Sequence, residues 1–190
     1  MLKFDRVCFR YQEKEVLKDL SFALARGEII ALMGPSGRGK STVLNLIAGL
    51  RNPTGGQMVC NAQKIAYAFQ EPRLFPWLTV EENIRTVLNG ENSDEVIANA
   101  LAAVDLTDAA KLYPTQLSGG MKSRAALARA LAFGGDLLLL DEPFASLDEE
   151  QSRLLAKRLR EICKAQGLSV ILVTHRQTDA DILADRTIVL

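Results

Sequence analysis

Neither sign of charge is in excess in this chain of 190 residues, since 23 Lys and Arg side chains balance 23 Asp and Glu side chains. Proteins that bind nucleic acid usually carry a basic face, so this balance disfavours a general DNA-binding or RNA-binding role. Apolar residues make up 48% of the chain and charged residues 24%, which is ordinary globular usage and argues against disorder. A chain of this length is typical of one domain.

Long hydrophobic runs are also missing. Residues 1–10 carry charges and lack the apolar stretch of a secretory signal, and no window approaches the about 20 apolar residues of a membrane span. We therefore expect a cytoplasmic protein that reaches a membrane only through another protein.

Cysteine is scarce and its spacing is uninformative. Cys8, Cys60 and Cys163 lie far apart and have no metal-ligand spacing. They are interpreted as buried or incidental thiols in a reducing compartment.

The spacing of apolar residues predicts an α/β fold with a mostly parallel sheet. Residues 2–11 and 17–24 alternate apolar with polar side chains, as half-buried antiparallel edge strands do. Short apolar runs typical of buried strands follow at residues 28–33, 65–69, 136–140 and 168–174.

Helical spacing separates these strands. Helices are predicted over residues 41–50, from just after Gly120 to about Phe133, and over 149–165. The stretch from Thr79 to about Ala110 also looks helical, and Thr79 with Glu82 forms a capping box. We interpret residues 71–133 as a helical subdomain inserted into a core formed by residues 1–70 and 134–190.

A phosphate-binding loop pattern lies between the strand at 28–33 and the helix that follows. Its glycines let backbone N–H groups turn toward phosphate oxygens, and the helix N-terminus adds a positive dipole end. Lys40 would neutralise the β- and γ-phosphates, and Ser41 would ligate magnesium. The alternative is a glycine-rich turn that merely joins strand to helix. The predicted nucleotide contacts are Gly34, Pro35, Ser36, Gly37, Arg38, Gly39, Lys40, Ser41 and Thr42.

Two acids follow the apolar run 137–140 and supply the second half of a nucleotide site. Ligands bind at the carboxyl ends of strands in open α/β sheets. Asp141 would hold magnesium through water, and Glu142 would polarise the attacking water. Such a strand ending is common by itself, but beside a phosphate-binding loop it indicates nucleotide hydrolysis.

A second anion-binding helix N-terminus is predicted at Ser118, Gly119 and Gly120. One nucleotide hardly needs two such sites from one chain. The economical interpretation is that each site faces a nucleotide held by another copy, which implies a head-to-tail dimer. The alternative is that Ser118 is a simple N-cap.

Taken in order, these motifs resemble those of the ATP-binding-cassette (ABC) ATPases. The resemblance runs from Tyr11 to His175 and rests on the phosphate-binding loop, Gln70 and the segments 117–121, 137–142 and 146–148. It implies a P-loop NTPase core and a magnesium-dependent ATPase that uses ATP to drive transport.

The resemblance also implies a role for each matching residue. Tyr11 would stack on adenine, although an aromatic side chain in an edge strand often serves packing alone. Gln70 would sense magnesium, Asp148 would contact the partner's phosphate-binding loop, and His175 would clamp the γ-phosphate. A lone histidine is often structural, but this one ends an apolar strand at the ligand-binding edge. The signature residues that would bind the other copy's nucleotide are Ser118, Gly119, Gly120 and Met121.

Residues 69–84 look like the corresponding loop of bacterial importers of the nitrate, sulfonate and taurine group. Phe75 and Trp77 stand there between prolines, where either a permease covers them or they fold back onto the helical subdomain. The expected complex contains a second copy of this chain or a homologous ATPase subunit, and an integral membrane permease that contacts residues 71–80. An extracytoplasmic solute-binding protein would complete it, with this chain at the inner face of the cell membrane.

Several residues depart from the family pattern. Met121 replaces a more common glutamine, and Ser123 and Ala125 also differ. Arg38 stands where a small residue is usual, and we expect its side chain to point outward. The apolar run 187–190 lies where relatives normally continue, so no C-terminal regulatory region is expected.

The sequence disfavours three other functions. A soluble ABC ATPase acting on DNA or ribosomes is disfavoured by the neutral charge and the absence of coiled-coil heptads. A small-molecule kinase or GTPase is disfavoured by the signature at 117–121 and by the absence of an Asn-Lys-x-Asp sequence. A non-catalytic subunit is disfavoured because Lys40, Asp141, Glu142 and His175 are all present.

Overall fold

The computed structural model describes residues 1–88, 90 and 93–190. The strands are β1 (Leu2–Tyr11), β2 (Lys14–Leu24), β3 (Ile29–Met33), β4 (Gly55–Cys60), β5 (Ile65–Ala68), β6 (Leu137–Asp141), β7 (Ser169–Val173) and β8 (Arg186–Val189). The α-helices are α1 (Lys40–Ile47), α2 (Val80–Arg85), α3 (Ser93–Ala103), α4 (Gly119–Phe133), α5 (Glu149–Gln166) and α6 (Gln177–Leu183). Short 3-10 turns lie at Thr107–Ala109 and Pro114–Gln116.

Five parallel strands form the central sheet in the order β5-β6-β7-β3-β8. β6 and β7 are buried along their whole length, which is why their sequences are almost continuously apolar. Because parallel strands end at the same edge, the segments that follow β3, β5, β6 and β7 lie close together. The predicted α/β fold with a mostly parallel sheet is confirmed.

The two faces of this sheet belong to two different apolar clusters. Leu137 and Leu139 of β6 join the cluster that contains α1 and the N-terminal strands. Leu138 and Leu140 point the other way and join the cluster that contains α2, α3, α4 and α5. Successive side chains of β6 point to opposite faces of the sheet, so this one strand contributes to both apolar clusters.

The antiparallel strands form a separate three-stranded sheet in the order β2-β1-β4. β1 and β2 were predicted, but β2 begins at Lys14 rather than at residue 17. β4 was not predicted because its Gly55-Gly56 start has the sequence of a turn. Gly56 has φ 74°, and a Cβ there would lie 2.0 Å from the carbonyl oxygen of Arg6, so only glycine fits this close approach.

The stretch from Thr79 to about Ala110, predicted to look helical, contains the helices α2 and α3 and the 3-10 turn at Thr107–Ala109. α2 ends at Arg85 and α3 begins at Ser93, while residues 89, 91 and 92 of the predicted stretch lie outside the described residues. The predicted capping box is present, since Thr79 N donates to Glu82 Oε2 at 2.7 Å and Glu82 N donates to Thr79 Oγ1 at 3.3 Å. α6 was not predicted either, because its seven residues offer little apolar period.

None of the helices formed by the described residues is both long enough and apolar enough to span a lipid bilayer.

Candidate nucleotide-binding site

A cavity of about 430 Å³ opens at the carboxyl edge of the central sheet. It brings together most of the predicted core nucleotide residues, from the phosphate-binding loop, β5, β6 and the end of β1. Its lining residues are Tyr11, Lys14, Val16, Ser36, Gly37, Gly39, Lys40, Ser41, Thr42, Gln70, Asp141, Glu142 and Val173.

The phosphate-binding loop wraps around the ammonium group of Lys40. The Nζ atom of Lys40 donates hydrogen bonds to the carbonyl oxygens of Gly34 at 2.7 Å and Pro35 at 2.9 Å. Gly39 begins α1 with φ 91°, and a Cβ there would lie 2.8 Å from Cγ1 of Val16. Glycine is therefore required at this position both by the backbone conformation and by the close approach of β2.

Ser41 and Asp141 meet at the floor of the cavity. The Oγ atom of Ser41 donates a hydrogen bond to Oδ1 of Asp141 at 3.1 Å, although the two residues are far apart in sequence. Burial is the main cause that raises the pKa of Asp141, and the neighbouring Glu142 charge adds to it. The hydrogen bond from Ser41 and the charge of Lys40 act in the opposite direction.

This donor set fits a magnesium ion. Mg²⁺ prefers oxygen ligands and is usually held by one or two carboxylates together with substrate phosphates. Within residues 1–88, 90 and 93–190, no cluster of three or more His, Cys, Asp or Glu side chains could form a closed metal cage. Ser41, Asp141 and the side-chain amide of Gln70 would therefore hold the ion, which when bound would neutralise charge on the phosphate oxygens.

Glu142 and His175 form a close pair above Asp141. The Oε2 atom of Glu142 lies 2.7 Å from Nδ1 of His175. Glu142 adopts the left-handed conformation with φ 52°, and its backbone N–H donates to the carbonyl oxygen of Val173 at 3.0 Å. An ionised carboxylate can only accept, so Nδ1 of His175 carries the hydrogen in this pair.

The signature residues lie outside the cavity of their own chain. Ser118 is the N-cap of α4, and its Oγ accepts a hydrogen bond from the backbone N–H of Met121 at 3.2 Å. Asp148 is likewise the N-cap of α5 and accepts from the N–H of Gln151 at 2.8 Å. Arg38 is exposed, as expected. The predicted residues that do not line the cavity are Gly34, Pro35, Arg38, Ser118, Gly119, Gly120, Met121, Asp148 and His175.

Three cavity residues, Lys14, Val16 and Val173, were missed from the sequence. Lys14 and Val16 line the cavity beside Tyr11, which is 42% exposed. They belong to the part of β2 that was predicted as a connection. The sequence feature that could have indicated them is a tight turn just after Tyr11, because such a turn places the next strand beside Tyr11.

The loop at residues 71–80, here called the aromatic loop, presents two rings to solvent. Phe75 is 41% exposed and Trp77 is 69% exposed, with ring centroids 5.5 Å apart. This exposure disfavours the interpretation that both rings fold back onto the helical subdomain. The loop is anchored by the buried amide of Asn83, whose Nδ2 donates to the carbonyls of Phe75, Leu78 and Thr79 at 3.1, 3.0 and 2.9 Å.

Comparison with known proteins agrees with this geometry. The family model described as ABC transporter matches residues 17–145. The nitrate import ATP-binding protein NrtC of Synechococcus elongatus is 42% identical over 92% of this chain, which spans 28% of the length of NrtC. The aliphatic sulfonates import ATP-binding protein SsuB of Mycobacterium avium is 45% identical over 95% of this chain and 73% of its own length.

Solved structures show the same fold. The dimeric structure of MJ0796, a bacterial ABC transporter cassette, superposes with a TM-score of 0.91 at 30% identity and covers 100% of this chain and 94% of that chain. A dimeric post-hydrolysis state of the same cassette, bound to ADP and Pi, gives a TM-score of 0.90 with the same coverage. The resemblance inferred from the motifs is therefore confirmed.

Proposed function

Because this chain belongs to the ABC transporter family and has the fold of an ABC ATPase cassette, we propose that it binds and hydrolyses ATP as one subunit of an importer. The ATPase would drive a separate membrane permease. The observation that carries the proposal is the meeting of Ser41, Asp141 and Glu142 at one cavity, with His175 in contact with Glu142.

In this proposal each cavity residue acts on a different part of ATP. Tyr11 stacks on adenine, the phosphate-binding loop and Lys40 hold the phosphates, and Glu142 accepts a hydrogen bond from the attacking water. The water oxygen bonds to the γ-phosphorus while the bond to the bridging oxygen of ADP breaks, which yields ADP and phosphate. His175 contacts the γ-phosphate through Nε2, while its Nδ1 faces the carboxylate of Glu142.

A second copy would complete the site. Ser118, Gly119, Gly120 and Met121 form the N-terminus of α4, a position that favours anions, and Asp148 is the N-cap of α5. Because they lie outside their own cavity, we propose that they bind the nucleotide and phosphate-binding loop of the partner in a head-to-tail homodimer. A dimer with a homologous ATPase subunit would use the same contacts.

The permease would dock on the aromatic loop. Its exposed rings form an apolar pair on a segment that begins beside Gln70 in the nucleotide cavity. A partner that covers Trp77 would therefore sense the nucleotide through a short stretch of chain. Residues 71–133, the proposed helical subdomain, would carry this docking site with the signature.

The named relatives support an anion as solute. They are import proteins for nitrate, aliphatic sulfonates and, at 41% identity over 92% of this chain, sulfate or thiosulfate. An anion importer of this kind would include an extracytoplasmic solute-binding protein and would hold this chain at the inner face of the membrane. The alternative, a soluble ABC ATPase that acts on DNA or ribosomes, shares the ATPase chemistry but needs no permease.

Co-purification with a permease tests the proposal. We expect the tagged chain, co-expressed with an importer permease from the same genome, to purify with it in detergent, and Trp77→Ser to lose it while keeping ATPase activity. Val59→Ser is the matched control, because Val59 is an apolar residue that is 51% exposed and lies on β4, outside the aromatic loop. Stable binding to ribosomes or DNA, with none to the permease, would favour the alternative.

A further inference from the structure

Arg176, which directly follows His175, reaches across to the loop between β6 and α5. One guanidinium nitrogen of Arg176 donates a hydrogen bond to the carbonyl oxygen of Leu147 at 3.0 Å. The backbone N–H of Arg176 donates to Oγ1 of Thr174 at 3.1 Å, which fixes the turn that carries the side chain. Neither the cavity lining nor the proposed chemistry uses Arg176.

A second contact joins the same two regions. Asp179 is only 1% exposed, and its carboxylate accepts hydrogen bonds from Ser152 Oγ at 2.5 Å and Thr174 Oγ1 at 3.4 Å. Ser152 lies in the first turn of α5, just after the N-cap Asp148. The chain after β7 therefore contacts the region around the start of α5 at two points. The half-buried Arg176 bonds to Leu147, and the buried Asp179 bonds to Ser152.

The loop held in this way, residues 142–148, touches three parts of the proposed site. Its first residue, Glu142, pairs with His175. Its last residue, Asp148, opens α5. Between them, Leu147 packs against the signature, since a Cβ built on Gly120 would lie 2.9 Å from Cδ2 of Leu147.

Hydrogen bonds from a charged donor are stronger than neutral ones, and the Leu147 side chain that flanks this carbonyl is only 5% exposed. Without Arg176, the Leu147 carbonyl would have to find water in a crowded position, and the loop would lose the contact that joins it to the histidine segment. Arg176 itself does not line the pocket that holds the nucleotide.

We propose that Arg176 is a positioning residue for ATP hydrolysis: it fixes the loop 142–148 relative to His175, so that Asp148 and the signature meet the partner copy in register with Glu142. The inference rests on the proposed head-to-tail ATPase. It predicts that Arg176 affects turnover and dimer formation, and not the affinity of one chain for nucleotide.

Replacing Arg176 by methionine keeps the aliphatic stem and removes every donor. In R176M we expect kcat for ATP hydrolysis to fall about tenfold, as the loss of a charged hydrogen bond can cause, while the Kd for a fluorescent ATP analogue changes less than about twofold. R176K should recover part of kcat, because one ammonium donor can still reach the Leu147 carbonyl. Amide hydrogen exchange in a peptide covering 143–150 should be faster in R176M with ADP bound.

Arg158→Met is the matched control. Arg158 on α5 also donates to backbone carbonyls, those of Ala102 at 3.2 Å and Ala103 at 3.5 Å, but it contacts the end of α3 instead of the 142–148 loop. A general loss of helix packing would affect both variants alike. We expect R158M to keep wild-type kcat and wild-type exchange in 143–150.

The outcomes separate this inference from the function on which it rests. Wild-type kcat and exchange in R176M, in a chain that hydrolyses ATP normally, would overturn the role of Arg176 alone. Equal losses in R176M and R158M, or a loss of ATP affinity as large as the loss of kcat, would also overturn it. If R176M does not fold, R176K and R176Q are compared instead, and equal kcat values in these two variants would overturn the role of Arg176. A wild-type chain that neither hydrolyses ATP nor dimerises would instead contradict the proposed function.

Discussion

The carboxylate of Glu142 and the imidazole of His175 are held face to face at the carboxyl edge of the sheet, 2.7 Å apart between Oε2 and Nδ1. The carboxylate is largely covered, with a side-chain exposure of 14%, whereas the ring is 59% exposed. The backbone N–H of Glu142 donates a hydrogen bond to the carbonyl oxygen of Val173, and Glu142 has the left-handed conformation with φ 52°. The proposed catalytic base is thus oriented before nucleotide arrives, and His175 is free on its outer side to reach a phosphate.

Glu142→Gln should separate binding from turnover. The amide keeps the size of the side chain but loses the charge that positions water, so we expect near-normal ATP affinity, almost no hydrolysis and accumulation of a dimer with ATP between its subunits. Size-exclusion chromatography with ATP and a phosphate-release assay measure both effects. Near-normal hydrolysis by this variant would falsify the role of Glu142.

His175→Ala and Glu142→Gln should not be additive. Because the two side chains contact each other and act on one phosphate, the double variant should be only slightly less active than the less active of the two single variants. Phosphate release by both single variants and the double variant measures this coupling. Multiplied losses in the double variant would show that the pair does not work as a unit.

Lys40→Ala should weaken nucleotide binding itself. The ammonium group lies under the phosphate-binding loop, bonded to the carbonyls of Gly34 and Pro35, where it would meet the phosphates. We expect ATP affinity to fall at least about tenfold, as the loss of a charge-assisted contact can cause. Arg153→Ala on α5 is the control, since it removes an exposed positive charge outside the cavity, and isothermal titration should give nearly wild-type affinity. Normal binding by Lys40→Ala would mean that the loop has another use.

The core of the site was predictable because its parts are local. The runs that became β3, β6 and β7 are almost continuously apolar, and the chemical groups lie at or just after the end of each run in sequence. The Ser41–Asp141 contact followed from the rule that parallel strands end at one edge. Features that depend on tertiary contacts could not be predicted from local sequence patterns.

β4 illustrates such a feature. Its two initial glycines have the sequence of a turn, and only pairing with β1 makes the segment extended. The cavity residues Lys14 and Val16 escaped for a related reason, because their role depends on how β2 folds back beside Tyr11 and Gly39. Arg176 likewise has no motif, and its contact with Leu147 exists only in three dimensions.

Asn83→Ala should destabilise the fold more than any exposed substitution on the neighbouring helices. Asn83 is 0% exposed and its amide satisfies three carbonyls and the backbone N–H of Phe75 at 2.7 Å. The substitution removes the Asn83 partner of the Phe75 N–H and of the Leu78 carbonyl, which should cost about 2–4 kcal/mol of unfolding free energy, measured by urea denaturation. Asn99→Ala on α3 is the control, since Asn99 is exposed, and it should change stability by less than about 0.5 kcal/mol. A small effect of Asn83→Ala would mean that water replaces the amide.

Cys163 should remain protonated and unreactive in the folded chain. Cys163 lies on the buried face of α5 and is 0% exposed, and burial raises its pKa from 9.0 to about 12. A thiol-specific disulfide reagent at pH 8 should therefore label Cys163 only after denaturation, whereas Cys8 and Cys60 are half-buried and more accessible. Cys8→Ala and Cys60→Ala variants identify which thiol has reacted.

The same shift makes stability depend on alkaline pH. Above the pKa of the unfolded thiol, near 9.0, the unfolded chain loses a proton that the folded chain keeps until about pH 12, so the free energy of unfolding falls as pH rises through this window. The loss approaches about 1.4 kcal/mol per pH unit for one thiol. Urea unfolding of the wild type and of Cys163→Ala at pH 7.5 and 10 isolates this contribution, because other groups titrate alike in both. Rapid labelling of native Cys163, or an equal pH dependence in the two proteins, would contradict a buried neutral thiol at this position.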